Sequence, residues 1–224
     1  MSQRKEVQAH GFVWEKELLK NVYGVPAEEL QKVTYTSKMD LDSRLNLLDG
    51  CDVSIKTSCS PNAVCMADCL RIFDAVDSGK PFHMVVVCYK QDKSANTKKI
   101  ESITEVDLTH SREALFGSLT RSQIEELDKA IKAIPQKRKP TEEEHRSLYA
   151  LRDSLQALSA AIHLDIKCNS QQSRLQCSFN RFQEFVQANP SLVVAKSNTN
   201  EFRGSSITSE IISPPRTFKK KPTL

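Results

Sequence analysis

Two short clusters carry residue types suited to chemistry at a phosphate. Asp40 and Asp42 form the first, and Asp52, Ser54, Lys56 and Ser58 begin ten residues after Asp42. A carboxylate on one β-strand and a lysine on the next suit metal-assisted hydrolysis of a phosphodiester. The carboxylate holds a divalent cation, and the lysine stands beside the scissile phosphate and the attacking water.

The elements that must position these groups follow from the residue pattern. Phe12, Val13, Leu18 and Leu19 supply the apolar side of a short helix over 12–20, closed near Gly24, and Pro26 fits the first turn of a second one reaching Leu30. Val33 to Leu48 reads as extended, with β-branched and aromatic residues from Val33 to Thr36. Asp49 and Gly50 signal a tight turn, and Val53 to Thr57 a strand. A loop over 58–62 leads to a helix over 63–77, where Val64, Ala67, Leu70, Phe73 and Val76 recur at helical spacing. His83 to Tyr89 contains an unbroken apolar run, Met84 to Cys88, as in a buried central strand, and Lys99 to Leu108 gives another strand.

The second half is mainly helical. Thr120 with Gln123 and Thr141 with Glu144 both fit the capping box, which predicts helices over 121–134 and 142–160, the first ended by Pro135. Ile162, Leu164 and Ile166 alternate with His163, Asp165 and Lys167 as in a half-buried strand. Arg174 to Phe179 is a further strand, and 180–188 a helix stopped before Pro190. The expectation is an α/β core over 1–110, then helices and returning strands over 111–200 that complete the same domain, and a flexible basic tail over 201–224.

This order of elements resembles the core of the PD-(D/E)xK nucleases over roughly residues 11–90, with Asp40 as the strand carboxylate and Ser54-Ile55-Lys56 as the acid-x-lysine triplet. In that family the leading helix often carries a metal-linked glutamate, and Gly11-Phe12-Val13-Trp14-Glu15 is similar to its start, which points to Glu15 rather than Glu17. The pattern departs at Ser54, where an acid is expected, since a hydroxyl is a poor anionic metal ligand. Some restriction endonucleases with Ser-x-Lys supply the missing carboxylate from the next helix. Asp68, twelve residues past Lys56, stands where it could take that part.

A polar stretch, Asn169, Ser170, Gln171, Gln172, Ser173 and Arg174, resembles a segment of sequence-specific type II restriction endonucleases, where Gln and Asn pair with adenine and Arg with guanine. Together these features look like a small type II restriction endonuclease with a restriction-endonuclease-like mixed sheet flanked by helices. The resemblance implies Mg²⁺ as cofactor, held by Asp40, Glu15 and Asp68. It implies double-stranded DNA as substrate, a homodimer, and a cognate DNA methyltransferase as functional partner. Lys56 would stabilise the developing charge, and Ser54 leaves no side-chain base at its position.

Competing readings remain. Asp165-Ile166-Lys167 satisfies the D-x-K triplet literally, yet follows a long helix with no hairpin carboxylate upstream. A nuclease-fold DNA-binding protein without catalysis is compatible with Ser54. A zinc-stabilised interaction module would use Cys51, Cys59, Cys65 and Cys69, whose gaps of seven, five and three residues contain no C-x2-C knuckle.

Composition narrows the class. The chain has 224 residues, 39% hydrophobic and 27% charged, which is ample for a buried core. No apolar run approaches the length of a membrane span, and no apolar segment follows Met1 as in a secretory signal. Seven cysteines, an odd number, argue for reduced thiols in a soluble intracellular protein rather than a disulfide framework. Three of the four net positive charges fall in residues 201–224, so composition requires no extended basic face elsewhere.

Overall fold

The computed structural model describes residues 13–30, 39–135, 138–169 and 172–213. Mixed α/β architecture is what it shows. A first helix, α1, covers 13–22, its last turns widened to π-helix over Leu18–Val22, and α2 covers Ala27–Leu30. Then follow β1 (Asp52–Ser58), β2 (Val64–Asp68), α3 (Cys69–Asp77), β3 (Phe82–Asp92) and β4 (Thr97–Asp107). The helices α4 (Arg112–Phe116), α5 (Arg121–Ala133) and α6 (Glu142–Gln156) precede the hairpin of β5 (Ile162–Asn169) and β6 (Gln172–Phe179). The chain continues through α7 (Phe182–Ala188), β7 (Val193–Ser197), the small hairpin of β8 (Glu201–Phe202) and β9 (Ser205–Ser206), and β10 (Glu210–Ile212).

The main sheet runs β1-β3-β4, and β4 pairs on its far side with both β10 and β7. β1 and β3 are parallel, joined by a connection that includes β2 and α3, whereas β4 is antiparallel to β3, β7 and β10. Alternation along β3 divides the core into two layers. Val85 and Val87 face Trp14, Leu18, Leu19, Tyr23, Val53 and Ile55 on the α1 side. Met84, Val86 and Cys88 face α3 to α6 and the apolar side of a second sheet, β2-β6-β5.

Both capping boxes form as the sequence predicts, with Thr120 and Thr141 accepting from the backbone three residues on and Gln123 and Glu144 reaching back. The helix expected over 63–77 begins only at Cys69. Val64 and Met66 are buried on either side of exposed Cys65, and β2 pairs antiparallel with β6, so a distant strand overrides the helical spacing. The expected strand before Asp49 reduces to one antiparallel bridge, Leu41 with Val53, among the described residues; 31–38 lie outside them. The tail expected over 201–224 is folded as far as Ser213, through β8, β9 and β10, and 214–224 lie outside the described residues. The second half also completes the core of the first: Leu164, Leu175, Cys177, Phe179 and Phe185 join Met84 and Val86 in one layer. Among the described residues no helix is long and apolar enough to cross a membrane.

Candidate active site

The site is built at the edge of the main sheet. Residues 40 and 41 run antiparallel to β1, with Leu41 and Val53 exchanging both backbone bonds at 3.0 and 2.9 Å, and Asp40 N–H also donating to Val53 O. This seats the Asp40 carboxylate over the middle of β1. Its Oδ2 accepts the Ile55 amide at 2.6 Å, the Ser54 hydroxyl at 3.1 Å and the Lys56 ammonium at 3.2 Å. Ser54 is buried, while the Lys56 and Asp40 side chains keep 16% and 28% of their exposure, so the pair is shielded but still open to a ligand.

Glu15 on α1 lies near enough to this centre for the charges of Asp40 and Lys56 to act on it. Burial and the charge of Asp40 push its carboxyl up to about 7, against the opposing pull of Lys56 and Lys16. The negative charge of Asp40 acting on the Glu15 carboxyl favours a cation between them. Glu17, in contrast, is engaged elsewhere. Glu17 accepts from both the backbone and the hydroxyl of Thr208, each at 2.6 Å, and Trp14 Nε1 donates to Thr208 O at 2.8 Å. One side of α1 is thereby clamped to the segment before β10.

Asp68 has another task. It is the N-cap of α3, accepting the Arg71 amide at 2.9 Å, and its charge is felt by Lys132, whereas the charges acting on Glu15 come from Asp40, Lys56 and Lys16. The carboxylates nearest in sequence to Asp40 are also engaged. Arg44 clasps Asp42 through two bonds and holds it down at about 2, and Asp52 accepts the Ser43 amide at 2.7 Å.

The rival triplet lies on β5 in the second sheet. Asp165 accepts from Ser178 Oγ at 2.7 Å and meets His163 at 3.3 Å, and Lys167 stands across from Arg174 in the ladder. Among the described residues β5 pairs only with β6, with no carboxylate segment laid along it as residues 40 and 41 are along β1. The polar stretch proposed to read bases is largely strand: Asn169 and Gln172 pair at the end of the β5–β6 hairpin, and Arg174 is exposed on β6. Ser170 and Gln171 lie outside the described residues.

The four cysteines of the zinc reading do not assemble. Cys51 belongs to the α1 side of the core and Cys69 to the other, while Cys59 and Cys65 are exposed. Sequence reasoning missed a buried polar cluster beneath the loop before β1. Glu105, wholly buried on β4, accepts from Tyr23 Oη at 3.0 Å and from Arg203 Nη1, and pairs with His83 Nδ1 at 2.9 Å. The one signal for it was an acid at an inward position of an alternating strand. Comparison of the chain with protein-family models, with curated proteins and with solved structures found no match.

Proposed function

We propose that the protein is a metal-dependent endonuclease of double-stranded DNA, with a core like that of the restriction endonucleases. The observation that carries this is the convergence of Asp40, Lys56 and Ser54 on one edge of the sheet, with Glu15 brought in from α1. The topology supports it: a carboxylate segment antiparallel to β1, and β1 parallel to β3 through a helical crossover.

Asp40 and Glu15 offer hard oxygen donors with partial exposure, a set that fits Mg²⁺. Bound there, the ion would supply a polarised phosphate and an acidified water. Lys56 places positive charge beside the phosphate oxygens and holds the Asp40 carboxylate in line, while the Ile55 amide fixes the carboxylate to the strand. Arg174 and Gln172 on β6 supply groups for base contacts. Action as a homodimer on a short palindrome, and protection of the host site by a DNA methyltransferase, complete the reading.

Incubating supercoiled plasmid with the protein and Mg²⁺ tests it. Nicked or linear product that disappears in Asp40→Asn supports hydrolysis at this site. The second reading, DNA binding without cleavage, is favoured by a specific observation: Ser54 donates to Asp40 where an acid is expected, and Asp68 is used as a helix cap. Retention of duplex DNA with no product at any Mg²⁺ concentration would establish that reading instead.

A further inference from the structure

Apart from Asp40 and Glu15, one other set of described side chains has the donor types of a metal centre. Asp49, Cys51 and His83 present an oxygen, a sulfur and a nitrogen that all lie within 4.8 Å of one another. We propose that these three residues bind a borderline-soft divalent ion of the Zn²⁺ class, as a structural centre separate from the hard-oxygen site at Asp40. The proposal does not depend on the nuclease reading.

The donor set makes the first argument. Thiolate and imidazole select Zn²⁺ or Co²⁺ over Mg²⁺, whereas the Asp40 site offers only oxygen. The surrounding groups make the second, since they already hold the ligands in place. Asn46 Nδ2 donates to Asp49 Oδ1 at 2.7 Å and to the Cys51 carbonyl at 2.9 Å, and lies 3.3 Å from Cys51 Sγ. Cys51 Sγ stands 3.1 Å from Asp49 Oδ1. Glu105 pairs with His83 Nδ1 at 2.9 Å and so fixes the orientation of the ring.

Charge makes the third. Three carboxylates, those of Asp49, Glu105 and, 4.0 Å from His83 Nε2, Asp107, stand against a single guanidinium, Arg203, so the cluster carries an excess of negative charge that suits a cation. The partly exposed side chains of Asp49 and Arg203 give an ion a way in, while Cys51 and Glu105 are closed off from solvent.

Such a centre would tie the loop before β1 to the start of β3 and, through Glu105 and Arg203, to the β8–β9 hairpin. Co²⁺ titration of the full chain, with millimolar Mg²⁺ present throughout, tests the assignment. One equivalent of Co²⁺ should raise a thiolate-to-cobalt charge-transfer band in the near ultraviolet. The band should persist in Asp40→Asn and in Cys59→Ser/Cys65→Ser, and be lost in Cys51→Ser. If Cys51→Ser fails to fold, His83→Gln decides: Co²⁺ affinity lowered at least about tenfold supports the site, and unchanged affinity overturns it. Absence of the band in the native protein, or its survival in folded Cys51→Ser, also overturns it.

Discussion

The Ile55 amide donates to Asp40 Oδ2 at 2.6 Å, so a residue of the neighbouring segment is bonded to the backbone of β1 between the two side chains, Ser54 and Lys56, that share its oxygen. Asp40 is thus fixed by a main-chain group that no substitution on β1 short of proline removes. Lys56→Ala should leave this seat intact. Cleavage should fall by about 10² to 10³, the usual cost of removing one charged group at a developing charge. Affinity for duplex DNA should stay within about tenfold, because most binding comes from phosphate contacts elsewhere. Parallel cleavage and binding assays check this, and wild-type cleavage by Lys56→Ala would exclude the site.

Glu15 gives a pH dependence with a defined sign. Its carboxyl sits at about 7 in the folded chain against an ordinary value of 4.5, so folding favours the protonated form. That contribution is fully present below 4.5 and is lost as pH rises towards and through 7. In EDTA the melting temperature should therefore fall over this interval. Mg²⁺ should reduce the fall by binding the ionised form, and Glu15→Gln should flatten it. Melting curves from pH 5 to 8 with and without Mg²⁺ measure all three, and an unchanged slope in Glu15→Gln would exclude the assignment.

Asp68 provides a separation of stability from chemistry. As the N-cap of α3 it should cost about 1 kcal/mol when changed to Ala, seen as a lower melting temperature, and Asp68→Asn should recover most of that. Cleavage by both variants should match the native protein at a temperature where they are folded. Loss of Mg²⁺-dependent cleavage in folded Asp68→Asn would instead return this residue to the metal.

Gly117 closes α4 with a φ of +57°, and a Cβ placed there would lie 2.4 Å from the Leu158 carbonyl oxygen. That carbonyl accepts the Ser118 amide, so it cannot withdraw cheaply. Gly117→Ala should destabilise the fold by about 2 kcal/mol or more, from backbone strain together with the clash. Urea denaturation monitored by circular dichroism gives the number, and a loss below about 0.5 kcal/mol would mean the α4–α6 junction yields easily.

What was legible in the sequence was what short-range chemistry decides. The capping boxes at Thr120 and Thr141 satisfy helix termini with residues three positions away, and the Met84 to Cys88 run is buried in whatever sheet contains it. The grouping of Asp40, Ser54 and Lys56 was legible for the same reason, since one antiparallel bridge suffices to bring them together. What escaped was decided by partners far along the chain. β2 exists because β6 pairs with it, and β10 because β4 offers it an edge. Asp68 looked like a metal ligand by spacing alone, but its carboxylate serves the helix it precedes. The pairing of Glu105 with Arg203 joins residues 98 positions apart, with no local pattern to announce it.

The clamp on α1 has a consequence for how the protein is made. Trp14 and Glu17 are held by Thr208, 194 and 191 residues later, so although the apolar side of α1 packs on β1 and β3, its polar clamp closes only when nearly all of the described chain has left the ribosome. Contacts of such separation close late and slowly. On the endonuclease reading proposed above, this ordering delays the final seating of the helix that carries Glu15 until synthesis is almost finished. A nascent or prematurely terminated chain would carry Asp40 and Lys56 while lacking the Thr208 clamp on the helix that carries Glu15.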